Sequence, residues 1–237
     1  MLRKTLALFA ALSVGFPVFS NGQTLKTKAH FATKVPEPSD IAVDSATGNT
    51  YLVSDNGLLY KCDARGKILQ KAAFEGMDFE GVAVTKDYVY VADESLRKIH
   101  RFQKATLSLD KTWSVPYFGA RNRGYESLAW NPAKQCFIVI TEKSPIIIRE
   151  LDSNFDPIGE VVFSSASDIS AARWHNGFLY LLSDEDHSVL QCDPKTYEVL
   201  KTWKLDVLNP EGIDFSPEGD LIILSDDLHT LYYYNHL

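Results

Sequence analysis

One phrase recurs five times along the 237 residues, and a repeat of this size limits the possible folds more than any other property of the chain. Its clearest copy is Asn209-Pro210-Glu211-Gly212-Ile213-Asp214-Phe215, followed by Leu221-Ile222-Ile223-Leu224-Ser225-Asp226. A turn carrying a carboxylate leads into a short apolar strand, and a second apolar strand ends on Ser-Asp. The phrase returns at Asp78-Phe79-Glu80-Gly81-Val82-Ala83 and at Gly124-Tyr125-Glu126-Ser127-Leu128-Ala129. Weaker copies stand at Glu37-Pro38-Ser39-Asp40-Ile41-Ala42 and Asp168-Ile169-Ser170-Ala171-Ala172-Arg173. Ser39, Glu80, Glu126, Ser170 and Glu211 therefore align, at intervals of 41, 46, 44 and 41 residues.

Each repeat holds four strand-like runs separated by polar turns. The outermost runs fall at residues 67–74, 106–115, 158–163 and 198–205, and Trp113 and Trp203 occupy the same place in theirs. The fifth repeat has no fourth strand, because the chain stops at Leu237. Residues 25–33 can supply it by pairing with the third strand of the last repeat. That closure hides edges that would otherwise invite aggregation. The expected fold is all-β, a five-bladed β-propeller of four-stranded antiparallel blades spanning residues 24–237, its ring closed by an N-terminal strand.

Residues 1–20 read as a signal peptide: Arg3 and Lys4 precede an apolar run at residues 6–19 that is short for a membrane span. Its removal predicts export to the periplasm or the medium, with no membrane insertion afterwards. The net charge of -7 gives no basic footprint for nucleic acid. Three cysteines remain, Cys62, Cys136 and Cys192. Cys62 and Cys192 hold matching positions in non-adjacent repeats, so no disulfide is expected.

In a propeller the first strand of each blade lines the central channel. Loops entering that strand and leaving the second open on one face, so two sets of acids should converge there. The first is Glu80, Glu126 and Glu211, with Glu37 and Asp168 two residues ahead of the aligned Ser39 and Ser170. The second is Asp55, Asp93, Glu142, Asp184 and Asp226. Two carboxylates about 5 Å apart repel by roughly 3 kcal/mol at an effective dielectric of ~20. Such a ring must take up protons, meet bases or hold a cation. Oxygen ligands alone suit calcium, which accepts loose geometry, better than magnesium. The bland alternative is a solvated acidic turn copied by duplication. For the second set, capping of local turns is the simpler role. Arg173 and Asp214 stand where other repeats carry alanine, which predicts an ion pair across a blade seam, or an anion site at Arg173.

These phrases, taken in order, resemble the SdiA-regulated family, exported bacterial proteins distantly related to NHL-repeat propellers. The resemblance covers nearly the whole chain after the leader. It implies a five-bladed propeller with a calcium site on its channel, and no settled activity. The Glu-Gly phrase is also similar to the calcium-ligand phrase of six-bladed lactonases and phosphotriesterases, although their inner-strand Asn set has no counterpart here. Three functions compete: an envelope propeller that binds calcium and a small-molecule or protein ligand at the channel face; a calcium-dependent lactonase or phosphoesterase; and a glycosidase using two carboxyl groups about 5–9 Å apart.

Overall fold

A computed structural model describes residues 22–117 and 124–237. The proposed signal peptide lies outside the described residues. The N-terminal segment forms β1 (Gln23–Thr24) and β2 (Thr27–Ala32). The first blade is β3 (Pro38–Val43), β4 (Thr50–Ser54), β5 (Leu58–Cys62) and β6 (Ile68–Lys71). The second is β7 (Phe79–Val84), β8 (Tyr88–Asp93), β9 (Lys98–Gln103) and β10 (Leu109–Ser114). The third is β11 (Tyr125–Asn131), β12 (Cys136–Thr141), β13 (Ile146–Leu151) and β14 (Pro157–Phe163). The fourth is β15 (Ala171–His175), β16 (Phe178–Ser183), β17 (Ser188–Cys192) and β18 (Val199–Lys204). The fifth is β19 (Pro210–Phe215), β20 (Leu221–Ser225) and β21 (Thr230–Tyr234), completed by β2.

The closing strand is where the sequence puts it: β2 runs antiparallel to β21, with His30 opposite Tyr232. One feature was not foreseen. β1 continues past the fifth blade and lies parallel to β18, the outer strand of the fourth, with Gln23 opposite Trp203. The N-terminus thus ties two blades together. Trp113 and Trp203 do occupy equivalent places, opposite Ile99 and Val189.

The core is divided among the seams between blades, because each blade is a sheet with two faces to cover. One cluster fills each of the five seams. Between the second and third blades Tyr90 meets Phe137 at 4.5 Å, and Phe137 stacks on Phe155 at 4.6 Å. The ring closes where β19 packs on β3. The inner strands approach closely enough to explain the Glu-Gly pairs. A Cβ on Gly81 would lie 2.6 Å from the Leu128 nitrogen, and one on Gly212 would lie 3.0 Å from that of Ile41. The three cysteines are buried and free.

Candidate functional site

The inner strand of a blade has one edge without a neighbouring strand, so its backbone groups need other partners. Side chains from adjacent blades supply them. Ser39 Oγ donates to the carbonyl of Phe79, and Ser170 Oγ donates to that of Pro210 at 2.9 Å. Asp40 accepts the Val82 amide at 2.9 Å, and Asp214 accepts that of Val43 at 2.6 Å. Glu80, Glu126 and Glu211 replace the serines in the other blades and leave their carboxylates for the channel mouth.

That mouth is a funnel of about 320 Å³. All five aligned residues, Ser39, Glu80, Glu126, Ser170 and Glu211, line it. Asp55, Glu94, Glu142, Asp168, Asp184, Glu185 and Asp226 join them, against Lys143 as the one basic lining residue among the described residues. Lys143 lies at the rim, 2.6 Å from Glu142 and 3.0 Å from Glu185. Burial and crowding of like charges act together here. Burial, then Glu126, Asp55 and Asp78, pushes Glu80 well above the usual carboxylate range. Glu126 rises likewise through burial, then Glu94, Glu142 and Glu211. Glu211 is pushed up to about 8 by burial, then by Asp184, Asp226 and Asp55. Asp55 is pushed up to about 6 by burial, then by Asp226.

Two of the expected acids are otherwise placed. Asp168 is at the funnel wall, but its carboxylate accepts the Ser183 hydroxyl and the amides of Asp184 and Glu185 at 3.2 and 3.1 Å, capping the turn after β16. Glu37 is exposed, with φ of 43°, and is not among the lining residues; its carbonyl accepts the Asp55 amide at 3.2 Å.

The second acid set is right in four blades and one residue off in the other. The last residue of β4, β16 and β20 is a serine whose Oγ bonds within the local turns, and the acid after it faces the funnel. In the second blade Asp93 takes the serine's position. It is buried, accepts the amides of Met77 and Leu96 at 3.0 and 3.2 Å, and lies 3.5 Å from His100 Nε2. Glu94 is therefore the funnel residue, and it accepts the Gly124 amide at 2.7 Å. Capping by the second set belongs to these hydroxyls and to Asp93.

Among the described residues one group of acids is close enough together to share an ion, and two of its members, Glu80 and Glu94, line the funnel. Asp78, Glu80 and Glu94 each offer a carboxylate oxygen, all within 4.8 Å of one another. Oxygens on one calcium at about 2.3–2.6 Å lie no more than about 5 Å apart, so this set fits a single ion. Reading the phrases as a repeat singled out neither Asp78 nor Glu94. The signal was there: Asp78 aligns with Glu37 and Asp168, and Asp93 aligns with Ser54 and Ser183.

Deeper in the channel Arg173 Nε lies 3.2 Å from Asp214 Oδ2, the pair expected across this seam, and Nη2 lies 3.7 Å from Asp40 Oδ2. Arg173 also donates to the carbonyls of Ile213 and Ile41. Its paired, backbone-bound state makes it a strut of the inner ring.

Fold and site define a five-bladed propeller with an acid funnel at one mouth and a buried ion pair below it. The profile of the SdiA-regulated family matches residues 56–234, and the chain belongs to that family. No curated protein matches it. Among solved structures it is similar to the glutaminyl cyclase of Myxococcus xanthus, with a TM-score of 0.74 and 15% identity over 90% of this chain and 96% of that one. It is also similar to a protein of unknown function from Bacteroides caccae, with a TM-score of 0.59 and 14% identity over 81% of this chain and 72% of that one. Kuenenia stuttgartiensis hydrazine synthase gives a TM-score of 0.52 and 14% identity over 83% of this chain and 57% of that one. At these identities the likeness is one of fold.

Proposed function

We propose that this is an exported, calcium-binding propeller of the cell envelope that uses its acid funnel to bind a small molecule or a protein. The observation that carries the reading is the Asp78, Glu80 and Glu94 cluster, whose oxygens lie within the span of one calcium ion. Glu126, beside Glu94, and Glu211, elsewhere on the funnel wall, add oxygens toward an ion or its ligand. Among the described residues these crowded, buried carboxylates meet Lys143 alone, at the rim, which favours a cation of two charges.

A second reading, a calcium-dependent hydrolase of lactones or phosphoesters, is favoured by Glu211. Pushed up to about 8, it holds a proton near neutrality beside Asp184, Asp226 and Asp55. An acid in that state can donate to a leaving group. Calcium, when bound, would supply electrophilic polarisation.

The test is calcium titration by calorimetry on the mature chain, with Glu80→Gln beside it. Saturable binding near one equivalent, lost in the variant, supports the site. It would justify substrate screens with lactones, phosphoesters and amino-terminal glutaminyl peptides, the last prompted by the fold neighbour's name. No heat, and no change of stability with chelator, sinks the reading. Export is tested by locating the processed chain in cell fractions.

A further inference from the structure

The far end of the inner strands carries a second ring. Four residues beyond each aligned position stand Val43, Val84, Trp130, Trp174 and Phe215, one from each blade. All five line a cavity of about 510 Å³ at the mouth opposite the acid funnel. The two indoles come from neighbouring blades and are half-buried. Phe215 is buried and covered by the His175 ring, 3.8 Å away and 9° from parallel. Ser45, Asn176 and Ser216 add polar groups to the same wall.

Arg173 lines this cavity and is 6% exposed. Its Nε and Nη2 serve the carbonyls of Ile213 and Ile41, which leaves Nη1 without a partner among the described residues. The guanidinium charge is matched by Asp214 and Asp40. Asp214 has no oxygen to spare: Oδ1 accepts the Phe215 amide at 2.7 Å, and Oδ2 accepts that of Val43 and faces Arg173.

This combination selects a ligand class. An anion finds no uncompensated positive charge among the described lining residues and meets the Asp214 carboxylate. A cation finds no free carboxylate oxygen. An aromatic ligand would cover the indoles but leave Nη1 and the polar wall unmatched, which costs affinity. A neutral ring with apolar C–H faces and several hydroxyls satisfies all of them. Concave sites with aromatic walls and a few convergent polar groups are the usual form of small-ligand pockets. We propose that the mouth opposite the acid funnel is a second binding site, specific for a neutral saccharide stacked on Trp130 and Trp174, with a hydroxyl on Arg173 Nη1. The proposal stands apart from the cation reading, since no residue is shared between the two mouths.

The test titrates the full mature chain with cellobiose, maltose and diacetylchitobiose, with galacturonate, glucosamine and indole for comparison. Intrinsic tryptophan fluorescence and calorimetry are the readouts. At least one neutral disaccharide should saturate with a Kd of about 1 mM or tighter. Trp174→Ala should weaken it about tenfold or more, and Ile158→Ser on the outer surface should leave it unchanged. Should the tryptophan variant not fold, Asn176→Gly serves, since the φ of 48° there suits glycine; it should weaken binding several-fold. Saturation by no neutral disaccharide, tighter binding of galacturonate, glucosamine or indole, or full affinity in Trp174→Ala and Asn176→Gly would each overturn the proposal.

Discussion

Arg173 Nε and Asp214 Oδ2 meet 3.2 Å apart inside the ring, with side chains 8% and 10% exposed. The pair belongs to a chain of contacts that satisfies the free inner edges of β7, β3 and β19, through Asp40 to Val82, Asp214 to Val43 and Arg173 to the Ile213 carbonyl. Burial raises both carboxyls and Arg173 offsets this, with Asp40 still pushed up to about 7. Removing one partner of a buried pair strands the other charge. Arg173→Met should therefore cost about 3–5 kcal/mol in urea denaturation. A loss under about 1 kcal/mol would mean that water reaches the two acids.

The funnel makes stability depend on pH with a definite sign. Glu211 is raised from 4.5 to about 8 and Asp55 from 3.8 to about 6, so the folded chain binds more protons than the unfolded one between those values. Their contribution is full in acid and is lost as the pH rises through about 6 and then about 8. In chelator, the melting temperature should fall between pH 5 and pH 8.5. Calcium should reverse the fall, because it takes the place of the protons. Equal slopes with and without calcium would contradict the account.

Cysteine chemistry gives an independent check on the seams. Cys62 and Cys192 are fully buried, and burial pushes both thiols up to about 12. Burial also raises Cys136. An aromatic disulfide reagent at pH 8 should find no rapidly reacting thiol in the native chain and all three after denaturation. A rapid thiol in the native state would place one of these seams open to solvent.

The closing strand should be indispensable. Deleting residues 22–32 exposes the ladder edges of β21 and β18 together. The truncated chain should lose its single cooperative unfolding transition and aggregate, and a separate peptide of residues 22–33 should restore solubility. A truncated chain that melts as before would show that ring closure does not depend on these strands.

The repeat made most of this fold legible, because blade number, strand order and closure all follow from where one phrase recurs. β1 was hidden, since Gln23 and Thr24 are too short and polar to signal pairing with β18. Glu80, Glu126 and Glu211 were readable as a converging set for the same reason as the fold. Glu94 and Asp78 were not, because the eye follows the Ser-Asp ending while the geometry follows the residue after the turn-forming one. In the second blade Asp93 replaces the hydroxyl, so the residue type misleads and only the register is informative. Glu37 shows the reverse: an acid at the expected place that is exposed and is not among the funnel's lining residues.

The central claim is that the Asp78, Glu80 and Glu94 cluster holds a hard cation. The most direct measurement is a crystal of the mature chain grown with calcium, with the ion located by anomalous scattering. The account predicts one peak at about 2.3–2.6 Å from carboxylate oxygens of Asp78, Glu80 and Glu94. A funnel without a peak at millimolar calcium, or a peak held only at the rim by Glu142 and Glu185, would contradict it.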